Sequence, residues 1–274
     1  MSIQHTSKNV AVVVPLSMRE QLTPDEELSL RHLVHFLGKY DKYLIAPEGL
    51  CLDIPGFKMK YFKKRFFGSA IAHTNLMLSH EFYESFLDYK YILNYHLDAL
   101  VFSDQMLEWC NADYDYIAPP WIPHEDAPYK KDGHFSGKVG NGGFSLRKIE
   151  SFLKVLNSRE YSTDPEFYTA HLTLAKSRFE QLALQGKRLL KYVKKLNDLQ
   201  WELRRNRQPE DYFWANRAQH YFPEFKIAPV EVALKFAFEC VPGYCFELTN
   251  HTLPFGCHAW QKYDKDFWKP YLLK

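Results

Sequence analysis

Short apolar segments alternate with segments of helical spacing over the first hundred residues. Residues 10–14 form a run of small and β-branched side chains that ends at a proline, which is typical of a buried strand. Residues 43–46 and 89–95 have the same apolar character, and helical spacing lies between them over residues 24–37 and 69–87. This alternation predicts an α/β fold with a mostly parallel, Rossmann-like central sheet flanked by helices.

The helix predicted over residues 24–37 has clear start and stop signals. Thr23 is a suitable N-cap, Pro24 takes the first helical position, and Glu26 stands three residues after the cap, as in a capping box. Gly38 follows the last helical residue. Beyond this region we expect a weakly alternating strand over residues 60–67, a short strand over 115–118, a polar loop over 124–138, a long helical stretch over 179–205 and strand-rich structure over 225–238.

Composition narrows the class of protein. The formal net charge is only +2, whereas nucleic-acid-binding proteins usually carry a larger basic excess, so nucleic acid is not an expected partner. No apolar run approaches the roughly 18 residues of a transmembrane helix, and residues 1–8 lack an apolar signal core. The five cysteines are scattered, without a C-x-x-C pair, which favours a reducing cytoplasm.

The ends of two predicted strands are the first candidates for a ligand site, because ligands of parallel sheets bind beyond the carboxyl ends of the strands. Pro15, Leu16 and Arg19 follow the first strand, and His96 and Asp98 follow the strand over residues 89–95. No G-x-G-x-x-G or Walker-type loop is present, so a nucleotide would need another device, such as carboxylates that hold a divalent metal against a diphosphate. Asp98 alone is equally well explained as the cap of a following helix.

Three later clusters also combine chemistry with unusual local sequence. Gly142 and Gly143 belong to a glycine-rich segment that lets the backbone approach a ligand, or simply makes a turn. Glu210 and Asp211 begin a predicted helix, where the helix dipole alone stabilises acids, or where one of them serves as a general base. His258 lies between glycine, cysteine and tryptophan, and is either a ligand or a structural histidine.

The order of these clusters resembles the GT-A glycosyltransferases, and more closely an uncharacterised bacterial family near them. The family's motifs are a strand that ends in x-x-Asp-Ala, then G-N-G-G-F-S-L-R, E-D-x-F-W and F-G-x-H-x-W. Here these motifs stand at residues 96–99, 140–147, 210–214 and 255–260. The resemblance covers residues 10–260, which is nearly the whole chain.

The resemblance implies a role for each matching position. Asp98 and His258 would hold Mn²⁺ or Mg²⁺ against the donor diphosphate, and residues 15–19 would lie beside the nucleotide. Gly142 and Gly143 would lie near the donor sugar and the acceptor. Asp211 would be the catalytic base, with Glu210 as the other candidate.

One position departs from the family. His96 replaces the first acid of Asp-x-Asp, so the metal would be weakly held or dispensable, and His96 would contact the nucleotide instead. Trp121 and Trp214 would stack on acceptor sugars or, alternatively, belong to the core.

Taken together, the sequence predicts one GT-A-like domain over residues 1–274, with a donor-binding half at about 9–120 and an acceptor-side half at about 121–274. Its expected activity is transfer of a sugar from a nucleotide sugar to a hydroxyl of a glycan or lipid-linked acceptor, with inversion, in bacterial surface polysaccharide synthesis. The basic segment 186–207 is either a solvated helix, which is favoured, or a peripheral contact with the inner face of an anionic membrane. The alternatives are a sugar nucleotidyltransferase and a non-catalytic carbohydrate- or nucleotide-binding protein on the same fold.

Overall fold

A computed structural model describes residues 8–19, 21–128, 137–159, 177–194 and 197–274. The strands are β1 Lys8–Pro15, β2 Asp41–Pro47, β3 Lys58–Phe62, β4 Tyr89–Tyr95, β5 Leu100–Val101, β6 Tyr116–Ile117, β7 Pro120–Trp121, β8 Lys138–Val139, β9 Phe144–Lys148, β10 Ala237–Phe238 and β11 Gly256–Cys257. The helices are α1 Pro24–Leu37, α2 Ala70–Met77, α3 His80–Glu84, α4 Met106–Asn111, α5 Ile149–Leu156, α6 Arg178–Lys194, α7 Leu199–Arg205, α8 Glu210–Asn216, α9 Ala218–Tyr221, α10 Val230–Phe236, α11 Pro242–Leu248 and α12 Lys265–Trp268.

The main sheet has the strand order β3-β2-β1-β4-β9-β6. Strands β1 to β4 pair in parallel, and β9 runs antiparallel to both β4 and β6. Helices cover the sheet, and the β1 residues Val12 and Val13 are fully buried. The predicted α/β class with a mostly parallel central sheet flanked by helices is therefore confirmed. Because β2 and β4 lie on opposite sides of β1, the chain reverses direction across the sheet at the carboxyl end of β1, where a crevice forms.

Helix α1 begins and ends as its sequence predicts. The Thr23 hydroxyl accepts a hydrogen bond from the Glu26 N–H at 3.3 Å, and the Glu26 carboxylate accepts one from the Thr23 N–H at 2.7 Å. This reciprocal capping box satisfies two backbone donors that the first turn of a helix would otherwise leave unpaired.

Two of the predicted helical stretches are interrupted. Residues 69–87 form α2 and α3 rather than one helix, since the Ser79 hydroxyl accepts from the Phe82 N–H and begins α3. The stretch over 179–205 is divided between α6 and α7, and residues 195–196 between them lie outside the described residues. Part of the loop expected over 124–138 also lies outside them. The predicted third strand is shorter than expected, because β3 ends at Phe62 and a 3-10 turn follows over Lys64–Phe66.

The prediction of strand-rich structure over residues 225–238 is wrong. Half of that segment is helix α10, which buries Ala233, Leu234 and Phe236. Only Ala237–Phe238 forms a strand there.

A small second sheet brings the end of the chain to the edge of the main sheet. Its order is β10-β11-β5, and β11 pairs antiparallel with β5, which follows β4 closely in the chain. The N–H of Trp260 donates to the carbonyl of Asp98 at 3.1 Å. These contacts fix His258, which directly follows β11, beside the segment that leaves β4.

Helices long and apolar enough to cross a membrane are not found in the part of the chain that the structure describes.

Candidate functional site

A large compartment of about 730 Å³ opens at the carboxyl ends of β1 and β4. Pro15 and Leu16 line it after β1, and His96 and Asp98 line it after β4. Gly68, Ser69 and Ala70 bring the N-terminus of α2 to its wall. The position agrees with the rule that ligands of parallel sheets bind at this edge.

A small compartment of about 220 Å³ adjoins the large one. The two share Ala70, His73 and His96 in their linings. Asn141, Gly142, Gly143, Glu210, Asp211 and His258 also line the small compartment. Residues from five separate parts of the sequence therefore line the small compartment of one two-compartment cleft.

His96, Asp98 and His258 form a cluster at the junction of the two compartments, called here the His–Asp–His cluster. One ligand atom from each residue lies within 4.8 Å of the others. Nε2 of His258 is 3.2 Å from Oδ1 of Asp98. Among the described residues, Nε2 of His96 has no hydrogen-bond partner. Two imidazole nitrogens beside a carboxylate, one of them buried without a partner, are a donor set that fits a divalent metal once His258 has released its proton.

The protonation of each group in the cluster depends on its neighbours. Burial disfavours the charged form of His258, but the carboxylates of Asp98 and Glu239 outweigh burial and raise its pKa to about 10. Burial also disfavours ionised Asp98, yet His258 holds the pKa of that carboxyl well below its usual range. Burial, followed by the neighbouring His73 and His258, lowers the pKa of His96 well below its usual value. His96 is therefore neutral and offers a lone pair.

Glu239 supports His258 from behind. Its Oε1 lies 3.3 Å from Nδ1 of His258, which leaves Nε2 directed at Asp98 and the junction. A carboxylate on the second nitrogen of an imidazole fixes the ring orientation in many metal sites.

The glycine loop packs against the site residues as closely as a backbone can. A Cβ on Gly142 would lie 1.8 Å from Oε1 of Glu210, and a Cβ on Gly143 would lie 1.9 Å from Nε2 of His258. The N–H of His96 donates to the carbonyl of Gly143 at 2.7 Å. The glycines therefore allow the acidic pair and the His–Asp–His cluster to converge, and any side chain there would displace them.

Asp211 is held by the same loop. Its Oδ2 accepts from the N–H groups of Asn141 and Gly142 at 3.1 and 3.3 Å. Burial, and then repulsion from the carboxylates of Glu210 and Glu239, raise the pKa of Asp211 to about 7. A carboxylate with a pKa near neutrality is suited to accept and return a proton at physiological pH.

Glu210 has a different environment from its neighbour. Its Oε1 accepts from Nη2 of Arg147 at 2.8 Å, and both side chains are almost fully buried. Arg147 also donates to the Tyr83 hydroxyl and to the Gly142 carbonyl. Glu210 is thus tied into a buried network that supports the glycine loop, while its Oε2 has no hydrogen-bond partner among the described residues.

Two residues expected on the acceptor side are core residues instead. Trp214 is 0% exposed and its ring centroid lies 4.1 Å from that of Phe152. Trp121 is 4% exposed and its ring packs against Gly140 so closely that a Cβ there would lie 2.0 Å from the indole. Neither indole face is open for a sugar, so the expectation of stacking is wrong for both.

Arg19 lies at the edge of the site rather than in it. Its guanidinium pairs with Glu26 at 2.6 Å, and Glu26 lines the large compartment.

Sequence reasoning missed two titratable residues that contact the His–Asp–His cluster. His73 lies on α2, in the wall that both compartments share, and its ring centroid is 5.0 Å from that of His96. Burial, and then the charge of Arg147, lower its pKa to about 4. Glu239 directly follows the two-residue strand β10. Neither residue belongs to a local motif that could have identified it.

The chain belongs to the family described as a protein of unknown function, DUF5672, whose model matches residues 56–258. A search of curated proteins found no match.

Several solved glycosyltransferase structures are similar to this one. The apo form of GlyE from Streptococcus pneumoniae TIGR4 is 12% identical with a TM-score of 0.42, and the match covers 98% of this chain and 61% of GlyE. The galactosyltransferase LgtC, in complex with donor and acceptor sugar analogs, is 11% identical with a TM-score of 0.46, over 90% of this chain and 86% of LgtC. Apo mouse xyloside xylosyltransferase 1 is 12% identical with a TM-score of 0.45, over 92% and 97%.

This chain thus spans less than two thirds of the length of GlyE. At identities and TM-scores this low, the likeness carries no argument about activity.

Proposed function

We propose that this chain transfers a sugar from a nucleotide-sugar donor to a hydroxyl group of a glycan or lipid-linked acceptor, with a divalent metal at the donor diphosphate. The observation that carries the proposal is the junction of the cleft. There the His–Asp–His cluster stands between a compartment with room for a nucleotide sugar and a small compartment that contains Asp211. A site that could hold the donor diphosphate, next to a base with a pKa near neutrality, is the arrangement that inverting sugar transfer uses.

The large compartment would take the donor. Its volume of about 730 Å³ lies within the range of about 300–1,000 Å³ that is usual for small-molecule sites. The first-turn N–H groups and the dipole of α2 favour a phosphate at that wall, and α2 has no acid in its first turn. The donor diphosphate would therefore lie between α2 and the His–Asp–His cluster.

The donor set of the cluster supports a bound metal. His96, Asp98 and His258 would hold it, since Nε2 of His96 lacks another partner in the described chain and the carboxylate is adjacent. When bound, the metal would supply Lewis-acid stabilisation of the charge on the departing nucleoside diphosphate.

The small compartment would take the acceptor hydroxyl, with Asp211 as the general base. The proton of that hydroxyl would pass to the Asp211 carboxylate while the oxygen attacks the anomeric carbon on the face opposite the leaving diphosphate, which inverts the configuration. Arg147 already occupies one oxygen of Glu210, which favours Asp211 over Glu210 as the base. Glu210 would instead position the loop that holds Asp211.

A lipid-linked acceptor would agree with the surface of α6. Phe179, Leu182 and Val193 are 81%, 66% and 70% exposed there, and the basic segment 186–207 includes Lys187 and Lys194 of the same helix. We infer a peripheral contact with the cytoplasmic face of an anionic membrane. Binding to anionic but not neutral vesicles that disappears at high salt would support this contact, and absence of such binding would refute it.

The first experiment is thermal unfolding with UDP, GDP, CMP and dTDP, each with and without Mn²⁺. A ligand at 100 times its dissociation constant stabilises the protein by about 2.7 kcal/mol, which raises the melting temperature by a few degrees. The sugar nucleotide of the nucleotide that binds is then tested for release of nucleoside diphosphate, with acceptor sugars present. NMR of the product anomer tests inversion.

Asp98→Asn should abolish the metal-dependent part of the shift, whereas Asp266→Asn, on an exposed carboxylate outside the cleft, should not. Failure of every nucleotide to stabilise the protein would refute the transferase proposal and favour a non-catalytic binding protein. Formation of a sugar nucleotide from a nucleoside triphosphate and a sugar phosphate would instead favour a nucleotidyltransferase.

A further inference from the structure

The His–Asp–His cluster has an imidazole at position 96, where the Asp-x-Asp motif that its sequence resembles has a carboxylate. From its geometry we propose that His96 is itself a metal ligand, and that the His–Asp–His cluster selects a transition-metal ion such as Mn²⁺, Co²⁺ or Zn²⁺ against Mg²⁺. The proposal rests on the proposed function, because it specifies the metal of the same donor site.

The geometry supports three ligands rather than two. The ligand atoms of His96, Asp98 and His258 all lie within 4.8 Å of one another, and the contact between His258 Nε2 and Asp98 Oδ1 is 3.2 Å. Two neighbouring ligands on an octahedral ion at about 2.1 Å are separated by about 3 Å. Small side-chain movements would therefore bring all three atoms onto one ion.

The orphaned nitrogen of His96 gives independent support. Nε2 of His96 is buried, and among the described residues no hydrogen-bond donor or acceptor satisfies it. A buried polar atom without a partner costs free energy unless something else binds it. A histidine that only contacted the base or ribose of a nucleotide would not need to lie this close to Asp98 and His258.

The backbone holds the three ligands in place before any ion arrives. The N–H of His96 donates to the Gly143 carbonyl at 2.7 Å, and the N–H of His258 donates to the Phe238 carbonyl at 2.9 Å. Glu239 contacts Nδ1 of His258 at 3.3 Å. We assign Glu239 as a positioning residue that keeps Nε2 of His258 directed at the ion.

Ligand chemistry then decides the choice of metal. Mg²⁺ is a hard ion that takes oxygen ligands and retains its water, whereas imidazole nitrogen binds first-row transition metals better. With two nitrogens and one oxygen, the cluster offers Mg²⁺ a single preferred atom. An aspartate in place of His96 would restore two carboxylate ligands.

The wild-type protein, without nucleotide, provides the first test. Binding of Mn²⁺ is followed from the loss of the free-ion EPR signal, and Mg²⁺, Co²⁺ and Zn²⁺ are added as competitors. We expect Mg²⁺ to bind at least about tenfold more weakly than Mn²⁺, and Co²⁺ and Zn²⁺ to displace Mn²⁺. Equal affinities for Mg²⁺ and Mn²⁺, or no Mn²⁺ binding, would overturn the proposal.

Variants test the assignment of His96. We expect His96→Asp to reduce the preference for Mn²⁺ over Mg²⁺ by at least about tenfold, and Glu239→Gln to weaken Mn²⁺ binding while the preference stays. His251→Asp is the matched control, because His251 is exposed and has a positive φ of 58° that aspartate tolerates. An unchanged preference in folded His96→Asp would exclude His96 as a ligand. If that variant does not fold, the wild-type competition still decides the metal preference.

Failure of this inference is distinguishable from failure of the proposed function. Sugar transfer in EDTA, together with no Mn²⁺ binding, would overturn the metal inference and keep the transferase. In that outcome the positive charge of His258, without a metal ion, would stabilise the donor diphosphate. Selective Mn²⁺ binding without transfer from any sugar nucleotide would keep the metal site and overturn the transferase.

Discussion

The pH dependence of transfer is the sharpest consequence of the site. The pKa of Asp211 is raised to about 7, first by burial and then by the carboxylates of Glu210 and Glu239. The ionised form is the base, so the rate should fall as the pH falls through 7. About half of the enzyme is then active at pH 7, and roughly 1% at pH 5, which predicts a loss of about 100-fold relative to the plateau. An aspartate at its ordinary pKa would lose less than about 10% over the same range.

The assay is initial rate against pH at saturating donor, acceptor and Mn²⁺. Saturation matters because protons compete with a metal ion for imidazole nitrogen, so the affinity for the metal can itself change with pH. Donor binding measured at each pH separates that effect from loss of the base. Asp211→Asn should lower the rate by about 10²–10⁴-fold and remove the acid limb of the profile.

The same substitution gives a second readout. Because the folded protein disfavours ionised Asp211, ionisation costs stability as the pH rises from about 4 through 7. Asp211→Asn should therefore gain stability relative to wild type between pH 5 and pH 8 while it loses activity. A full acid limb in Asp211→Asn, or a wild-type rate that stays constant down to pH 5, would refute Asp211 as the base.

Three further substitutions test the architecture of the site. Gly143→Ala would place a Cβ 1.9 Å from Nε2 of His258, so metal-dependent donor binding should be lost while cooperative unfolding remains. The control is Gly243→Ala, whose Cβ would meet nothing within 4 Å. Equal donor affinities in the two variants would contradict the packing argument. Arg147→Met leaves the buried Glu210 carboxylate without its cation, which should lower the free energy of unfolding by about 3–5 kcal/mol in denaturant titration. The double variant Arg147→Met with Glu210→Gln should recover part of this stability. A loss below about 1 kcal/mol in Arg147→Met would contradict a buried ion pair. Trp214→Phe should lower stability and leave the acceptor KM unchanged, since the indole is fully buried; a raised KM at wild-type stability would return Trp214 to the acceptor site.

The parts of the fold that local chemistry determines are predictable from the sequence. The capping box of Thr23 and Glu26 lies within four residues, and the apolar runs of β1 and β4 need only burial on both faces. The strand prediction for residues 225–238 is wrong because it used the local pattern alone. Val230, Val232, Leu234 and Phe236 alternate with other residues as a strand would, yet the segment forms a helix. Its burial of Ala233, Leu234 and Phe236 depends on tertiary packing that periodicity over seven residues does not reveal.

The sequence predicts a residue of the site only where the strand order determines its position. The carboxyl-end rule needs just the strand order, so it locates Pro15, Leu16, His96 and Asp98 at one opening. His73 and Glu239 reach the His–Asp–His cluster from a helix and from the end of a two-residue strand. Nothing in their local sequence distinguishes them. The prediction that Trp121 and Trp214 stack on acceptor sugars is wrong, because a tryptophan in a sequence is equally typical of a sugar-binding platform and of a core.

Glu210 and Asp211 are adjacent in sequence, and their difference arises from the fold alone. At the start of a helix, successive side chains point about 100° apart, so one acid faces β9 and the other faces the glycine loop. Glu210 meets Arg147, whose cation neutralises it. Asp211 meets no cation of this kind in the described part of the chain, and it accepts hydrogen bonds from three backbone N–H groups, those of Asn141, Gly142 and Tyr212. Burial, and then repulsion from two other carboxylates, raise its pKa. Removing the cation would therefore disturb both: a Glu210 freed from Arg147 would repel Asp211 more strongly and move the acid limb of the transfer rate to higher pH. In folded Arg147→Met, an acid limb that shifts to lower pH or does not move would contradict this account, in which Arg147 neutralises Glu210 and thereby limits the pKa of Asp211.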